Sequence, residues 1–288
     1  MTNELTVVDQ HELDAFAASV GANAEDMQGG NDFLPALKVN YNEEDANGKE
    51  LKKGLFFLDN VDVKVYAKNV KIRPLLQYFQ WTQYNKAEKK TINRTRFIPD
   101  FGQEARDEKG TVRCGKPTSK DIKANPSLKD KFDDITCYRH IYALVSYDGA
   151  DADGVKHSVE NVVCTIRLHG ANFIPFQDEY VANMPKGSRI WDYEAKLGVT
   201  KEKNDPASAT SFYVIHFDTD FGSKLTFDAP TFATLKGLRE KVDMLNNDID
   251  SKYYAALSNK TSSDAAINAL DITPKDLGAD LVDSEITF

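Results

Sequence analysis

Long apolar runs are missing from this chain. No stretch of its 288 residues approaches the roughly 20 apolar residues that span a bilayer, so no membrane helix is expected. Glu4, Asp9, Glu12 and Asp14 break up the N-terminus, which does not read as a basic-then-apolar signal peptide. Cysteine is scarce. Cys114, Cys137 and Cys164 are odd in number and widely spaced, which argues against a disulfide framework and for a reducing cytoplasm. Cys137 and His140 are the one close Cys/His pair. A gap of two in an expected strand puts them on opposite faces, and no second close pair exists, so buried, inert cysteines are the reading and no metal is expected. HExxH, GxSxG and the paired acids of a nuclease are all absent. Gly115-Lys116-Pro117-Thr118 lacks the upstream glycine of a phosphate-binding loop. Asp148, Asp151 and Asp153 are explained by a hairpin turn. No enzyme and no cofactor are expected. Internal repeats are lacking too.

What is there is ordinary in bulk and uneven in placement. Hydrophobic residues make up 41% and charged residues 28%, as in a globular protein with a proper core. The net charge of −9 conceals a segregation of sign. Residues 1–50 hold eleven acids against two lysines, and residues 261–288 hold six acids against one lysine. Residues 64–99 hold nine basic residues against one acid, a local net of +8. A chain that binds a polyanion needs only such a local stripe, and acidic ends limit indiscriminate adsorption.

The hydropathy pattern is mainly that of β-structure. Leu55–Leu58 and Val61–Tyr66 read as a hairpin around Asp59-Asn60, and Val70–Tyr84 as a long strand with Thr91–Ile98 returning after a charged turn. Residues 100–134, rich in Gly and Pro, read as a long functional loop with about one helical turn. Ile135–Tyr147 with Val159–Leu168, and Ile190–Val199 with Ser211–Phe217, form further hairpins, and Phe176–Met184 reads as a short helix. Leu235, Leu238, Val242, Leu245, Ile249 and Tyr253 recur at helical spacing after Pro230, which predicts a helix over Thr231–Leu257. The expected organisation is a flexible acidic segment over 1–30, one nucleic-acid-binding domain over 31–257, and a linker with an acidic tail over 258–288. The expected fold is mainly β (α+β): an OB-like antiparallel β-barrel with inserted loops, a late amphipathic helix and a disordered acidic C-terminal tail.

Residues 70–85, VKIRPLLQYFQWTQYN, are the main candidate site. In an extended strand Lys71, Arg73, Gln77, Phe79 and Trp81 share a face, with Ile72, Leu76 and Tyr78 on the other. Cations, an amide and two exposed aromatics suit single-stranded nucleic acid, because phosphates need Lys or Arg and unstacked bases need flat rings. Tyr84, Lys86, Lys89, Lys90, Arg94 and Arg96 extend the surface, and the loop 106–121 adds Arg106, Arg113, Lys116 and Lys120. The bland alternative is a strand with buried rings and a solvated charged face. A second candidate is the C-terminal DLGADLVDSEITF. Asp276, Asp280, Asp283 and Glu285 face no basic residue there, and Phe288 supplies a terminal apolar anchor, as in a docking peptide or polyanion mimic.

With both stretches in view, the layout resembles the phage-type single-stranded DNA-binding proteins of T7-like replication modules. VYAKNVKIRPLLQYFQWTQYN, EARDEKGTVRCGKP and ITCYRHIYALVSYDG also resemble uncharacterised phage proteins assigned to that role. The resemblance implies an OB barrel, a helix and an acidic tail ending in Phe that contacts replication partners (polymerase, helicase-primase) and competes with DNA. Here that role falls on Asp280, Asp283, Glu285 and Phe288. The expected function is non-catalytic coating of single-stranded DNA in replication, recombination and repair, in the cytoplasm of a host cell, and a homodimer is compatible with it. Two other readings share the evidence of sequence: a strand-annealing recombination mediator, and a phage structural or adaptor protein whose tail docks a partner.

Overall fold

The computed structural model describes residues 34–45, 47–203 and 211–269. The acidic segment 1–30 and the tail residues Asp280, Asp283, Glu285 and Phe288 lie outside the described residues. The chain divides into two compact units. One comprises the described residues of Met1–Phe79 with Tyr138–Glu240, the other Gln80–Cys137 with the described residues from Lys241 on.

Among the described residues the protein is mainly β, with nine strands and one long late helix. The strands are β1 (Ala36–Val39), β2 (Phe56–Asp59), β3 (Tyr66–Ala67), β4 (Val70–Asn85), β5 (Lys90–Arg94), β6 (Ile135–Ala150), β7 (Lys156–Leu168), β8 (Ala195–Lys203) and β9 (Ser211–Thr219). Their order in the sheet is β3-β2-β1-β7-β6-β4-β8-β9, with β5 paired to β4 and a further pairing of β3 with β6.

Within the first unit, that further pairing closes a ring. Strand β1 pairs antiparallel with β2, β2 with β3, β3 with β6, and β6 with β7. Five strands cannot close with antiparallel pairs alone, since the direction must repeat once around an odd ring. The parallel pair β1–β7 supplies that repeat, through Ala36 against Thr165 and the Thr165 N–H donated to Pro35 O at 2.9 Å. The other narrow point is Tyr66 against Ala150. It depends on Gly149, where a Cβ would stand 2.4 Å from the Tyr66 carbonyl oxygen and 2.9 Å from Val65. Only glycine lets the two backbones come this close. The strand expected to end at Tyr147 runs on through Asp148 and Gly149 to Ala150.

The core of this unit gathers Leu37, Phe56, Leu58, Ile72, Ile141 and Ile166 from the strands. Phe176 and Tyr180 join it from the helical turns at Phe176–Tyr180, their rings stacked 5.1 Å apart. The Tyr180 hydroxyl donates to the carbonyls of Ile190 and Tyr193, which satisfies its buried polar end. Strand β9 ends the sheet, and side chains cover its outer edge. The Asn172 side chain accepts from Ile215 N–H and donates to Tyr213 O, Glu179 accepts from Phe217 N–H, and the Tyr41 hydroxyl accepts from Tyr213 N–H.

The second unit is built on the β4–β5 hairpin, which is shorter on its return side than Thr91–Ile98. The loop beyond is better ordered than its composition implies. Asp107 is fully buried and accepts from the N–H groups of Lys109, Thr111 and Cys114 and from the Thr111 hydroxyl. Two short helices follow, α1 (Ser119–Ala124) and α2 (Leu128–Lys131). Thr118 and Asp121 form a reciprocal capping box at the start of α1.

Helix α3 runs from Ala229 to Ala269. Asp228 caps it, accepting from Thr231 N–H at 2.9 Å. Within the second unit, its buried stripe runs through Val242, Asn246 and Ile249, with a polar residue where Leu245 was expected to face inward. Asn246 exchanges two hydrogen bonds with the Phe97 backbone, at 2.7 and 3.0 Å. The expected linker from residue 258 is helical as far as Ala269, and 270–275 lie outside the described residues. No Gly or Pro interrupts 258–269, and Ser258 turns its hydroxyl back onto the Tyr254 carbonyl, so its polar group does not compete with the helix. Among the described residues no helix is long and apolar enough to cross a membrane.

Candidate nucleic-acid interface

The long strand over 70–85 forms, but its faces are not those that strict alternation predicts. From Tyr78 to Thr82 every residue is buried, so both sides of β4 are covered there. Phe79 and Trp81 are 5% and 4% exposed, which corrects the expectation of an exposed aromatic face. In the first unit, Phe79, Phe173 and Phe176 surround the buried guanidinium of Arg139 at 4.9–5.6 Å, a cation held by ring faces. In the second unit, Trp81 packs on Phe101, ring centroids 5.2 Å apart, and its backbone pairs with Thr95. Gln77 is half-buried, and its side-chain carbonyl oxygen is buried with no hydrogen-bond partner among the described residues.

The cations of the basic segment are mostly spent on partners from elsewhere in the sequence. In the first unit Lys71 pairs with Glu194 at 3.0 Å, and Arg73 donates to the carbonyls of Trp191 and Thr226. In the second, Lys86 pairs with Asp133, Lys90 with Glu88, Arg94 with Glu108 and Arg96 with Asp250. Lys116 donates to the Ile135 carbonyl, and Arg113 sits in a left-handed turn at φ 53°. Tyr84 near the end of β4 and Lys89 in the turn after it are exposed. The +8 read along the chain is therefore largely neutralised in space, because acids far away in sequence fold against it. Such exposed pairs are worth little, about 0–1 kcal/mol each, so a phosphate can replace the carboxylate.

A groove in the first unit combines what the strand was expected to offer. It holds about 380 Å³ and lies along β1, β7 and the start of β6. Lys38, Arg167 and His169 supply nitrogen, and Tyr41, Tyr138 and Tyr213 supply rings. No carboxylate lines it. Alternation explains the geometry. Arg167 is registered against His140 across the β6–β7 hairpin, and the backbone stays extended through His169, so Arg167 and His169 share the face that carries Tyr138. The Arg167 guanidinium lies 4.7 Å from the Tyr138 ring centre and the His169 ring 5.0 Å from it, edge-on. Tyr41 stands edge-to-face with Tyr213 at 5.1 Å and is 50% exposed.

The electrostatics favour anions. Partial burial, and then the Arg167 charge, hold the His169 imidazolium below the usual histidine range, so an anion entering here meets a group poised to take a proton. His140 is fully buried, and burial with the same arginine pushes it down to about 3. A second hollow in this unit, about 700 Å³ in volume, has the opposite character, with Glu44, Asp45, Asp62, Asp151 and Asp153 on its walls. Asp151 there accepts from Asp153 N–H and Val155 N–H, the turn-forming role expected of it.

The sequence reading missed all six groove residues. Arg167 and His169 were findable from the β6–β7 hairpin, whose alternation puts them opposite Tyr138. Lys38 and Tyr41 were not, since only the parallel β1–β7 contact brings them in. No protein-family model matches this chain, and no curated protein or solved structure matches it.

Proposed function

We propose that the protein binds single-stranded DNA without reading its sequence, coating it during replication, recombination and repair, and that the groove along β1 and β7 engages the strand. The observation that carries this reading is the groove lining: three nitrogen-bearing side chains and three tyrosines with no carboxylate among them. Cations bind the backbone and rings accept unstacked bases whatever their identity. The five-strand ring supports an OB-like barrel as the scaffold, since it meets the parity condition that any closed five-stranded sheet must meet. In this reading the protein has no catalytic step and acts in the cytoplasm. Its C-terminal acids and Phe288 dock polymerase or helicase-primase partners.

The test is titration of the full-length protein with oligo-dT at several salt concentrations. The two groove cations, Arg167 and Lys38 once a phosphate displaces its Asp59 partner, predict a log–log slope of roughly −1.4, from about −0.7 per phosphate contact. Arg167→Ala lowers that slope by about 0.7. Absence of binding at low salt sinks the proposal. It would leave the adaptor reading, which draws on the pairing of Lys71, Lys86, Arg94 and Arg96 with carboxylates.

A further inference from the structure

The groove has the size and polarity of a site for one nucleotide, an inference that rests on the nucleic-acid reading above. At about 380 Å³ it falls at the small end of small-molecule sites, room for one sugar, base and phosphate and not for a stacked run. Its charged and aromatic elements are also separated. Arg167 and His169 both flank Tyr138, while Tyr41 and Tyr213 make a pair of their own with half of Tyr41 in solvent. We propose that the groove is a single-nucleotide subsite in which Arg167 and His169 hold the phosphate and the open face of Tyr41 carries the base. Its ligand is a nucleoside monophosphate unit, either free or within a strand.

The site then has a signature that a generic basic patch lacks. The titratable groups around His169 are Lys38 from β1, whose ammonium pairs with Asp59 of β2, Tyr41 from the loop after β1, Tyr138 from β6, Arg167 from β7 and Tyr213 from β9, and no acid lines the groove itself. Without a bound anion, partial burial and then the Arg167 charge disfavour the imidazolium. A bound phosphate reverses that balance, so binding takes up a proton at His169. Affinity rises as pH falls through the ordinary histidine range. His140, buried and neutral until pH falls to about 3, stays outside the window.

The experiment follows histidine ring resonances of the full-length protein by NMR with dTMP, thymidine and oligo-dT, and measures oligo-dT affinity at pH 6 and pH 8 at constant ionic strength. Expected is a raised His169 titration midpoint with dTMP and none with thymidine. Oligo-dT should bind roughly tenfold tighter at pH 6, and His169→Gln should remove that difference. Tyr41→Ala should weaken oligo-dT roughly five- to hundredfold at both pH values. Melting curves should confirm that both variants fold. A His169 midpoint that dTMP does not move, or a pH dependence that survives His169→Gln, overturns the phosphate assignment. Oligo-dT binding indifferent to Tyr41→Ala and Arg167→Ala overturns the subsite while leaving the DNA reading intact. Binding of dTMP without any oligo-dT binding overturns the DNA reading and assigns the groove to a free mononucleotide.

Discussion

Replacing Trp81 by Ala separates a buried ring from a stacking surface. The ring is 4% exposed and packs on Phe101, and its backbone is tied to Thr95 on both sides. Removing it costs the transfer of a large aromatic plus the cavity left behind, about 3–5 kcal/mol. For a chain of this size each kcal/mol lowers the melting temperature by about 2–4 °C, so the expected drop is roughly 6–20 °C. The assay is thermal and urea unfolding followed by circular dichroism, paired with oligo-dT titration below the transition. The variant should melt early yet bind DNA with nearly parental affinity while folded, because Trp81 does not line the groove. Trp81→Phe should recover much of the loss. A melting temperature within about 2 °C of the parent, together with affinity weaker by about 1–3 kcal/mol, would refute the burial account and restore Trp81 as a stacking platform.

Gly149→Ala should destabilise by about 1–3 kcal/mol in urea unfolding, since its Cβ meets the Tyr66 carbonyl at 2.4 Å and one backbone must give way. The parent should lose stability as pH falls below about 6.5 toward His140's folded value of about 3, because the unfolded chain binds the proton that the buried ring refuses. The loss approaches 1.4 kcal/mol per pH unit from this group, and His140→Gln should flatten urea-unfolding stability measured against pH in that window. Asp59 acts further down: Lys38 and Lys64 hold its carboxyl at about 2, so its contribution is present above pH 4 and disappears as pH falls through 2, visible as acid sensitivity that Asp59→Asn removes. Deleting 276–288 should tighten oligo-dT binding, most at low salt, since a tethered polyanion competes at an effective concentration on the order of millimolar; equal affinity in full-length and truncated protein would exclude that competition.

The elements were far more legible than the site. The strand from Val70, the hairpin of β6 and β7, and the helix beginning near Pro230 all followed from local periodicity. The length of α3 did not, because a Ser- and Asn-rich run reads as linker, and only the fold shows the Ser258 hydroxyl bonding back to the Tyr254 carbonyl of the preceding turn. The face of β4 was misjudged for a plain reason: alternation identifies two sides but not which of them is covered, and from Tyr78 to Thr82 both are. The charge of 64–99 misled similarly. Lys71 meets Glu194 and Arg96 meets Asp250, partners more than a hundred residues away that no window on the sequence contains. The groove depends on a single parallel contact between β1 and β7, a long-range event with no local signature.

The covered edge of β9 bears on how neighbouring molecules would sit along a strand of DNA. Tyr213, Ile215 and Phe217 have their outward N–H groups already occupied by Tyr41, Asn172 and Glu179. A second molecule therefore cannot extend the sheet here without first displacing three side chains. If the protein coats DNA as proposed, this edge would give a bound copy no help to the next. A binding isotherm governed by such contacts is hyperbolic rather than sigmoidal, and coverage grows as scattered singles instead of contiguous runs. Filament growth, the hallmark of an annealing protein, would have to begin from some other surface.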